Sequence, residues 1–195
     1  MEKIKIKSSK NIYFDGPFLI KPDIYQDSRG LFFESWNKKK FNDLCDKEVN
    51  FVQDNHSYSD FGVVRGLHYQ LNPKAQDKLI RVVSGKIFDV IVDLRFSSKT
   101  FKSWAAVDLN CENKNILWVP KGFAHGFLSL NENTQVIYKT TDFWSARLER
   151  SINWLDKDLK ILWPEISDKK KYNLSSKDSS AYSLKELEEK GELFE

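Results

Sequence analysis

Short runs of apolar residues dominate the middle of the chain, and most of them are rich in β-branched and aromatic side chains. They occupy residues 31–36, 51–53, 63–69, 79–83, 87–94, 104–109, 116–119 and 135–141. Runs of this length and composition are typical of β-strands. Because helical crossovers do not separate them, the pattern predicts an all-β fold of antiparallel strands, as in a sandwich, jelly roll or barrel.

Turn and helix signals complete the predicted elements. Ser84-Gly85 predicts a tight hairpin between two apolar runs, and residues 131–133 join two more. Helical signals are confined to the edges of the chain. Residues 41–47 favour one short helix, and Ser183 with Glu186 forms a capping box that predicts another.

Length and composition indicate an ordinary globular protein. The chain has 195 residues, of which 41% are hydrophobic and 30% charged, enough to bury a sizeable core. No internal repeat or linker divides it, so we expect one domain over residues 1–195. The more polar segment, about 165–195, is expected to pack on the barrel or on a partner subunit.

Charge and cysteine content narrow the partners and the compartment. A formal net charge of +3, without a basic stripe interleaved with aromatics, argues against nucleic acid. Cys45 and Cys111 lie far apart and outside any CxxC motif, so reduced thiols are expected. No apolar run approaches the roughly 20 residues that span a bilayer. We therefore expect a cytoplasmic protein that does not bind membranes.

Histidine is the first candidate for chemistry near neutral pH, and the chain has three: His56, His68 and His125. On a strand, His68 shares a face with Gln70, while Arg65 would share that face only if Gly66 introduced a bulge. His125 lies between Gly122 and Gly126, in a predicted turn where backbone can approach a ligand closely. Taken alone, a histidine on a barrel strand is more often a hydrogen-bonded structural residue.

A metal site is the second interpretation of these histidines. His68 and His125, completed by Gln70 or Gln76, would be the only ligand set available. A His-x-His pair is missing, and glutamine is a weak ligand. A metal-dependent barrel protein is therefore the weaker alternative, and we predict no metal.

Several longer motifs carry a specific resemblance. In order along the chain they are residues 27–34, 53–57, 62–70, 75–82, 85–95, 118–127, 138–142 and 174–178. Together they resemble the dTDP-4-dehydrorhamnose 3,5-epimerase family over nearly the whole chain. The resemblance implies a cupin-type jelly-roll barrel with short peripheral helices, usually a homodimer, acting without a metal or cofactor. It also implies the substrate, dTDP-4-keto-6-deoxy-D-glucose, which is inverted at C3 and C5 on the route to dTDP-L-rhamnose.

The resemblance also implies roles for individual residues. His68 would be the base, oriented by Asp178, and Tyr138 the opposing acid. Arg65 and Lys78 would hold the diphosphate or stabilise an oxyanion. The other implied contacts to sugar and nucleotide are Arg29, Phe32, Glu34, Gln53, Asn55 and His125.

These roles suit the chemistry that the reaction requires. A hydrogen beside a ketone leaves through an enolate, which needs a base on one face and a cation or hydrogen-bond donor at the oxygen. Inversion then needs a proton donor on the opposite face. By pattern alone, Tyr138 would be a core residue, Asp178 a tail carboxylate and Glu34 a surface charge.

Three alternatives stay open at the level of function. One is an epimerase that inverts a single centre, and another is an epimerase acting on a different nucleotide-linked 4-keto sugar. The third is a non-catalytic jelly roll that binds a sugar nucleotide. The chain departs from the family pattern at Phe143-Trp144, at Ser151 and at residues 180–184. These departures bear on substrate identity more than on mechanism.

Overall fold

The structure is a computed structural model that describes residues 1–166 and 171–195, so residues 167–170 of the predicted C-terminal extension lie outside the description. Within the described residues the chain forms thirteen strands. They are β1 (Glu2–Lys7), β2 (Tyr13–Lys21), β3 (Ile24–Asp27), β4 (Gly30–Phe33), β5 (Gln53–Ser59), β6 (Val64–Gln70), β7 (Lys78–Ser84), β8 (Lys86–Asp93), β9 (Trp104–Asn110), β10 (Ile116–Val119), β11 (Phe123–Ser129), β12 (Thr134–Thr140) and β13 (Glu149–Ser151). Three short helices are described: α1 (Lys38–Cys45), α2 (Ser176–Ser179) and α3 (Leu184–Glu189).

Two antiparallel sheets face each other. The first has six strands in the order β1-β2-β10-β7-β12-β5, and the second has five in the order β13-β6-β11-β8-β9. Their inner faces meet in one apolar core, to which the first sheet contributes Ile80 and Val136, and the second Ile87, Ile91 and Phe127. Alternation along the strands directs one set of side chains into this core, while β10 and β11 are buried along their whole length. The predicted all-β jelly roll with short peripheral helices is confirmed.

The predicted hairpin at Ser84-Gly85 is wrong. The two runs that it joins, β7 and β8, belong to different sheets, and β8 pairs with β9 instead. Gly85, at φ +78°, turns the chain from one sheet to the other. Turn residues indicate a change of chain direction, but they do not determine whether the next strand pairs with the preceding one or crosses the core to the other sheet.

The predicted turn around His125 is also wrong, because residues 123–129 form β11 in the middle of the second sheet. His125 is directly opposite His68 on the neighbouring strand β6. A register irregularity follows between His125 and Phe127, so the bulge expected near Gly66 is present where these strands pair.

The C-terminal segment packs on the outer face of the second sheet. Leu184, Leu187 and Phe194 join a buried cluster with Leu67 and Tyr69 of β6. The predicted capping box is confirmed, with Ser183 and Glu186 bonded reciprocally at the start of α3. Within the described residues no helix is both long and apolar enough to cross a lipid bilayer.

Candidate active site

A cavity of about 670 Å³ opens between the two sheets. His68 and His125 line it from the second sheet, and Lys78 and Tyr138 line it from the first. Arg65 also lines this cavity. The fold therefore brings together these five predicted residues from the two facing sheets, and Asp178, a sixth, lines the cavity as well.

His68 is paired with a carboxylate from the C-terminal segment. Its Nε2 lies 2.5 Å from Oδ1 of Asp178, a residue 110 positions away that is 3% exposed. Ser175 fixes the start of α2 by accepting a hydrogen bond from the Asp178 backbone N–H. Within the described residues Nδ1 of His68 makes no hydrogen bond, which leaves that nitrogen available for a proton.

The pair is set up as a neutral imidazole and a carboxylate. Burial lowers the pKa of His68, although Asp178 opposes this effect through its hydrogen bond and charge. Burial would raise the pKa of Asp178, but the hydrogen bond and charge of His68 outweigh it, and the net shift is downward. Near neutral pH His68 is therefore unprotonated and able to act as a base.

His125 has a carboxylate partner of its own. Its Nε2 lies 2.9 Å and 3.0 Å from the two oxygens of Asp89, which is fully buried on β8. Burial raises the pKa of Asp89, while His125 and Lys78 act in the opposite direction. Asp89 was not identified from the sequence, although it lies in the motif at residues 85–95. The available signal was a charged residue between Ile87 and Ile91, on the inward face of a strand.

Two cations in the cavity have no carboxylate partner in the described part of the chain. Burial lowers the pKa of Lys78 to about 8. The Arg65 guanidinium is oriented by the Ser59 hydroxyl, at 3.0 Å, and by the Tyr58 carbonyl, at 2.9 Å. Both cations are thus free to bind a diphosphate or to stabilise a developing oxyanion.

Tyr138 lies on β12 and contacts the inter-sheet core with its ring. Burial raises the pKa of its phenol, Arg65 opposes this effect, and Glu149 adds to it. The hydroxyl therefore stays protonated at neutral pH and suits the role of proton donor.

The mouth of the cavity carries an ion pair that sequence reasoning did not identify. Lys177 and Glu149 approach to 3.0 Å, next to the His68–Asp178 pair. Burial would raise the pKa of Glu149, but Lys177 and His68 hold it below its ordinary value. Trp144, one of the departures from the family pattern, is 59% exposed and lines the same cavity.

Gln53 and Asn55 lie at the rim of the site, on the edge strand β5. Asn55 is opposite Tyr138 in the ladder and accepts a hydrogen bond from the Gln53 amide at 2.8 Å. The Gln53 oxygen accepts the Trp144 backbone N–H at 3.1 Å. These contacts place both amides beside the cavity, although neither lines it in the single chain.

Arg29, Phe32 and Glu34 are not brought to the cavity of their own chain. The first two lie on the β3–β4 hairpin, whose strands pair only with each other among residues 1–166 and 171–195. Phe32 is 68% exposed, and Arg29 is paired with its neighbour Asp27 at 2.6 Å. Glu34 binds Lys40 at 2.5 Å near the start of α1.

The metal interpretation finds no ligand set in the described residues, 1–166 and 171–195. No group of three or more His, Cys, Asp or Glu side chains there could hold an ion. Of the two glutamines considered as additional ligands, Gln70 already uses its amide oxygen to accept the Ser145 backbone N–H, and Gln76 donates its amide N–H to the Asp142 carbonyl.

A cupin-type jelly roll whose cavity holds an unprotonated histidine, a phenol and two cations is suited to moving protons on an anionic substrate. Residues 11–186 match the family model described as dTDP-4-dehydrorhamnose 3,5-epimerase. The chain belongs to this family.

Individual relatives agree with this assignment. The chain is 52% identical to a dTDP-4-dehydrorhamnose 3,5-epimerase from Shigella flexneri over 146 residues, covering 75% of this chain and 81% of the relative. A Legionella pneumophila 3,5-epimerase, solved with dTDP-4-keto-L-rhamnose, superimposes with a TM-score of 0.88 at 41% identity, covering 99% and 98% of the two chains. A 3'-monoepimerase from Streptomyces bikiniensis, solved with dTDP-quinovose, gives a TM-score of 0.86 at 32% identity, covering 92% and 89%.

Proposed function

We propose that this enzyme converts dTDP-4-dehydro-6-deoxy-D-glucose to dTDP-4-dehydro-L-rhamnose by inverting C3 and C5 through enolate intermediates. His68 removes the proton, Asp178 orients the imidazole and stabilises the imidazolium, and Tyr138 supplies a proton from the opposite side. Arg65 and Lys78 bind the diphosphate and stabilise the enolate oxygen. No metal or cofactor takes part in this scheme, because a cationic side chain can stabilise the enolate.

One observation carries the proposal: the base and the acid stand on opposite sheets and face the same cavity. Inversion requires that a proton leave one face of a carbon and that another arrive on the opposite face. A ring placed between His68 and Tyr138 meets that requirement. A binding protein would need neither an unprotonated imidazole nor a protonated phenol at these positions.

The stereochemistry of the substrate explains how one base can serve both centres. In the gluco chair the hydrogens on C3 and C5 are axial and lie on the same face, on either side of the C4 ketone. Deprotonation at either carbon delocalises charge onto the same O4 oxygen. One histidine, one phenol and one cation near O4 therefore suffice for two successive inversions.

We further propose that the protein works as a homodimer in which the β3–β4 hairpin of one subunit covers the cavity of the other. The hairpin supports this because, in the part of the chain that the structure describes, it pairs with no other strand and exposes Tyr25 by 62% and Phe32 by 68%. Apolar side chains exposed together in this way usually mark an interface. With Cys45 and Cys111 both unpaired, we place the dimer in the reducing cytoplasm.

The test is incubation of the enzyme with dTDP-4-dehydro-6-deoxy-D-glucose in D2O, followed by NMR, with and without prior chelation. We expect deuterium and inverted configuration at both C3 and C5, and equal rates in the two samples. Deuterium at one carbon would mean a single-centre epimerase, and no exchange would contradict the proposed substrate. Activity that is lost with the chelator and restored by one divalent ion would contradict the metal-free scheme.

A further inference from the structure

One serine in the cavity wall has a hydroxyl that no residue uses. Ser57 lies on β5 and lines the cavity. Its oxygen exposes less than 1 Å² to solvent and has no hydrogen-bond partner among the described residues. Because an unpaired buried hydroxyl is unfavourable, we expect this group to gain a hydrogen-bond partner when a ligand binds.

The neighbours of Ser57 on the same strand indicate which partner that is. Asn55 and Ser59 flank it on the inward face, each roughly 7 Å away along the strand. Ser59 accepts a hydrogen bond from Arg65 at 3.0 Å, so the guanidinium lies at one end of this polar row. Across the ladder Ser57 faces Val136, which offers no side-chain hydrogen bond.

Building on the proposed function, we infer that the Ser57 hydroxyl donates a hydrogen bond to the substrate's diphosphate, next to the oxygens held by Arg65. Rotation about the Cα–Cβ bond to another staggered position, about 120° away, allows the hydroxyl to turn toward a bound ligand. The interaction is charge-assisted and adds directionality that a lysine or arginine alone does not supply. Ser57 is thereby a substrate-binding residue additional to those inferred from sequence.

The chain offers a matched control. The Ser103 hydroxyl is likewise buried and unpaired within the described residues, but Ser103 does not line the cavity. Ser57→Ala and Ser103→Ala each remove one buried hydroxyl that has no partner among the described residues. Neither change should lower the melting temperature of the free protein, because each removes an unsatisfied hydroxyl and leaves no polar partner behind.

The experiment measures the affinity of the full-length wild type and both variants for dTDP by calorimetry, and for thymidine and inorganic pyrophosphate by competition. We expect Ser57→Ala to weaken the binding of dTDP and pyrophosphate about tenfold, as for the loss of one charge-assisted hydrogen bond. The affinity for thymidine should stay within about twofold of the wild-type value. Ser103→Ala should match the wild type throughout. Unchanged dTDP affinity in Ser57→Ala, or equal losses for dTDP and thymidine, would overturn the inference alone. A wild type that fails to bind dTDP would overturn the proposed function as well.

Discussion

The surroundings of three ionisable side chains set the protonation states that the reaction needs. Burial keeps His68 neutral, and it keeps the Tyr138 phenol protonated. Lys78 is a cation whose pKa burial has lowered to about 8. Local environment thus distinguishes the proposed base, acid and electrophile, and each protonation state has a consequence for the pH profile.

The first consequence concerns the acidic limb of kcat/KM, which His68 controls in this mechanism. Asp178 opposes the effect of burial and keeps the pKa of His68 from falling further. Asp178→Asn should therefore move the acidic limb to lower pH while kcat falls by roughly 10² to 10⁴. Steady-state rates measured between pH 4.5 and pH 8 would test this, because that range spans the ordinary histidine pKa of about 6.5. A limb that stayed in place or moved upward would contradict the role given to Asp178.

The second consequence concerns the alkaline limb, which Lys78 controls if it acts as a cation. We expect kcat/KM to decline above about pH 8, the pKa of Lys78 in the free enzyme. The limb in kcat should lie at higher pH, because a bound diphosphate favours the charged amine. Lys78→Arg, even with a lower rate, should lose this limb, since guanidinium stays protonated. Persistence of the limb in that variant would assign it to another group.

Some of these residues could be reached from sequence, and others could not. His68 was identifiable as a candidate by residue type, and the motifs indicated its partner Asp178. Spacing alone could not pair two residues 110 positions apart. Asp89 left a usable signal, an acid on an apolar strand face, whereas the Lys177–Glu149 pair left none because its members meet only after the C-terminal segment folds back.

At the scale of elements, close contact between β6 and β11 places the two histidines side by side. Gly66 has a φ of +123°, and a Cβ there would come within 2.6 Å of Gly126 Cα and 2.8 Å of the His125 carbonyl oxygen. Side chains at these positions would force the strands apart. The glycines are thus required by the approach of the strands that carry His68 and His125.

We therefore expect Gly66→Ala to lower the free energy of unfolding by about 2 to 4 kcal/mol, combining steric overlap with an unfavourable φ. Gly30→Ala is the matched control, because Gly30 has a nearly equal φ of +124° but nothing within 4 Å of an added Cβ. Denaturant titration of both variants separates the two contributions. Equal losses would mean that backbone conformation alone, and not the contact between strands, accounts for the effect.

Element prediction succeeded where a run is rich in β-branched and aromatic residues, and it failed where glycines suggested a turn or where a connection crosses the core. Composition located most of the central strands, including residues 116–119, which match β10 even though all four of its residues are buried. It failed at β11, where all seven residues are buried and glycines suggested a turn. It also failed at Gly85, because local turn chemistry carries no information about which sheet receives the next strand.

At the scale of the whole molecule, the proposed dimer combines the cavity of one subunit with the β3–β4 hairpin of the other, so the two parts can be disabled separately. If the hairpin of one subunit completes the cavity of the other, Arg29→Ala/Phe32→Ala and His68→Ala should each be inactive or severely impaired alone. When the two variants are mixed and allowed to exchange subunits, about a quarter of wild-type activity should return. Half of the dimers would then be heterodimers, and each of these would have one of its two sites intact. Light scattering during the same experiment checks that the protein is dimeric.

Two outcomes would contradict the shared site. No recovery, with subunit exchange verified by tagged chains, would mean that each hairpin serves its own cavity or none. A monomeric protein with full activity would remove the dimer from the account. A hairpin that serves no cavity would also remove Arg29 and Phe32 from the predicted substrate contacts, while the His68–Asp178 pair would be unaffected.

The central claim is that His68 and Tyr138 act from opposite sheets on the two faces of one sugar ring. Tyr138→Phe tests it most directly, because the change removes the donor hydroxyl and keeps the ring that packs in the core. Measured by NMR in D2O, this variant should incorporate deuterium beside the ketone while largely retaining the original configuration. His68 can still remove the proton and return a solvent-exchanged one from the same side. Normal exchange together with normal inversion would contradict the claim.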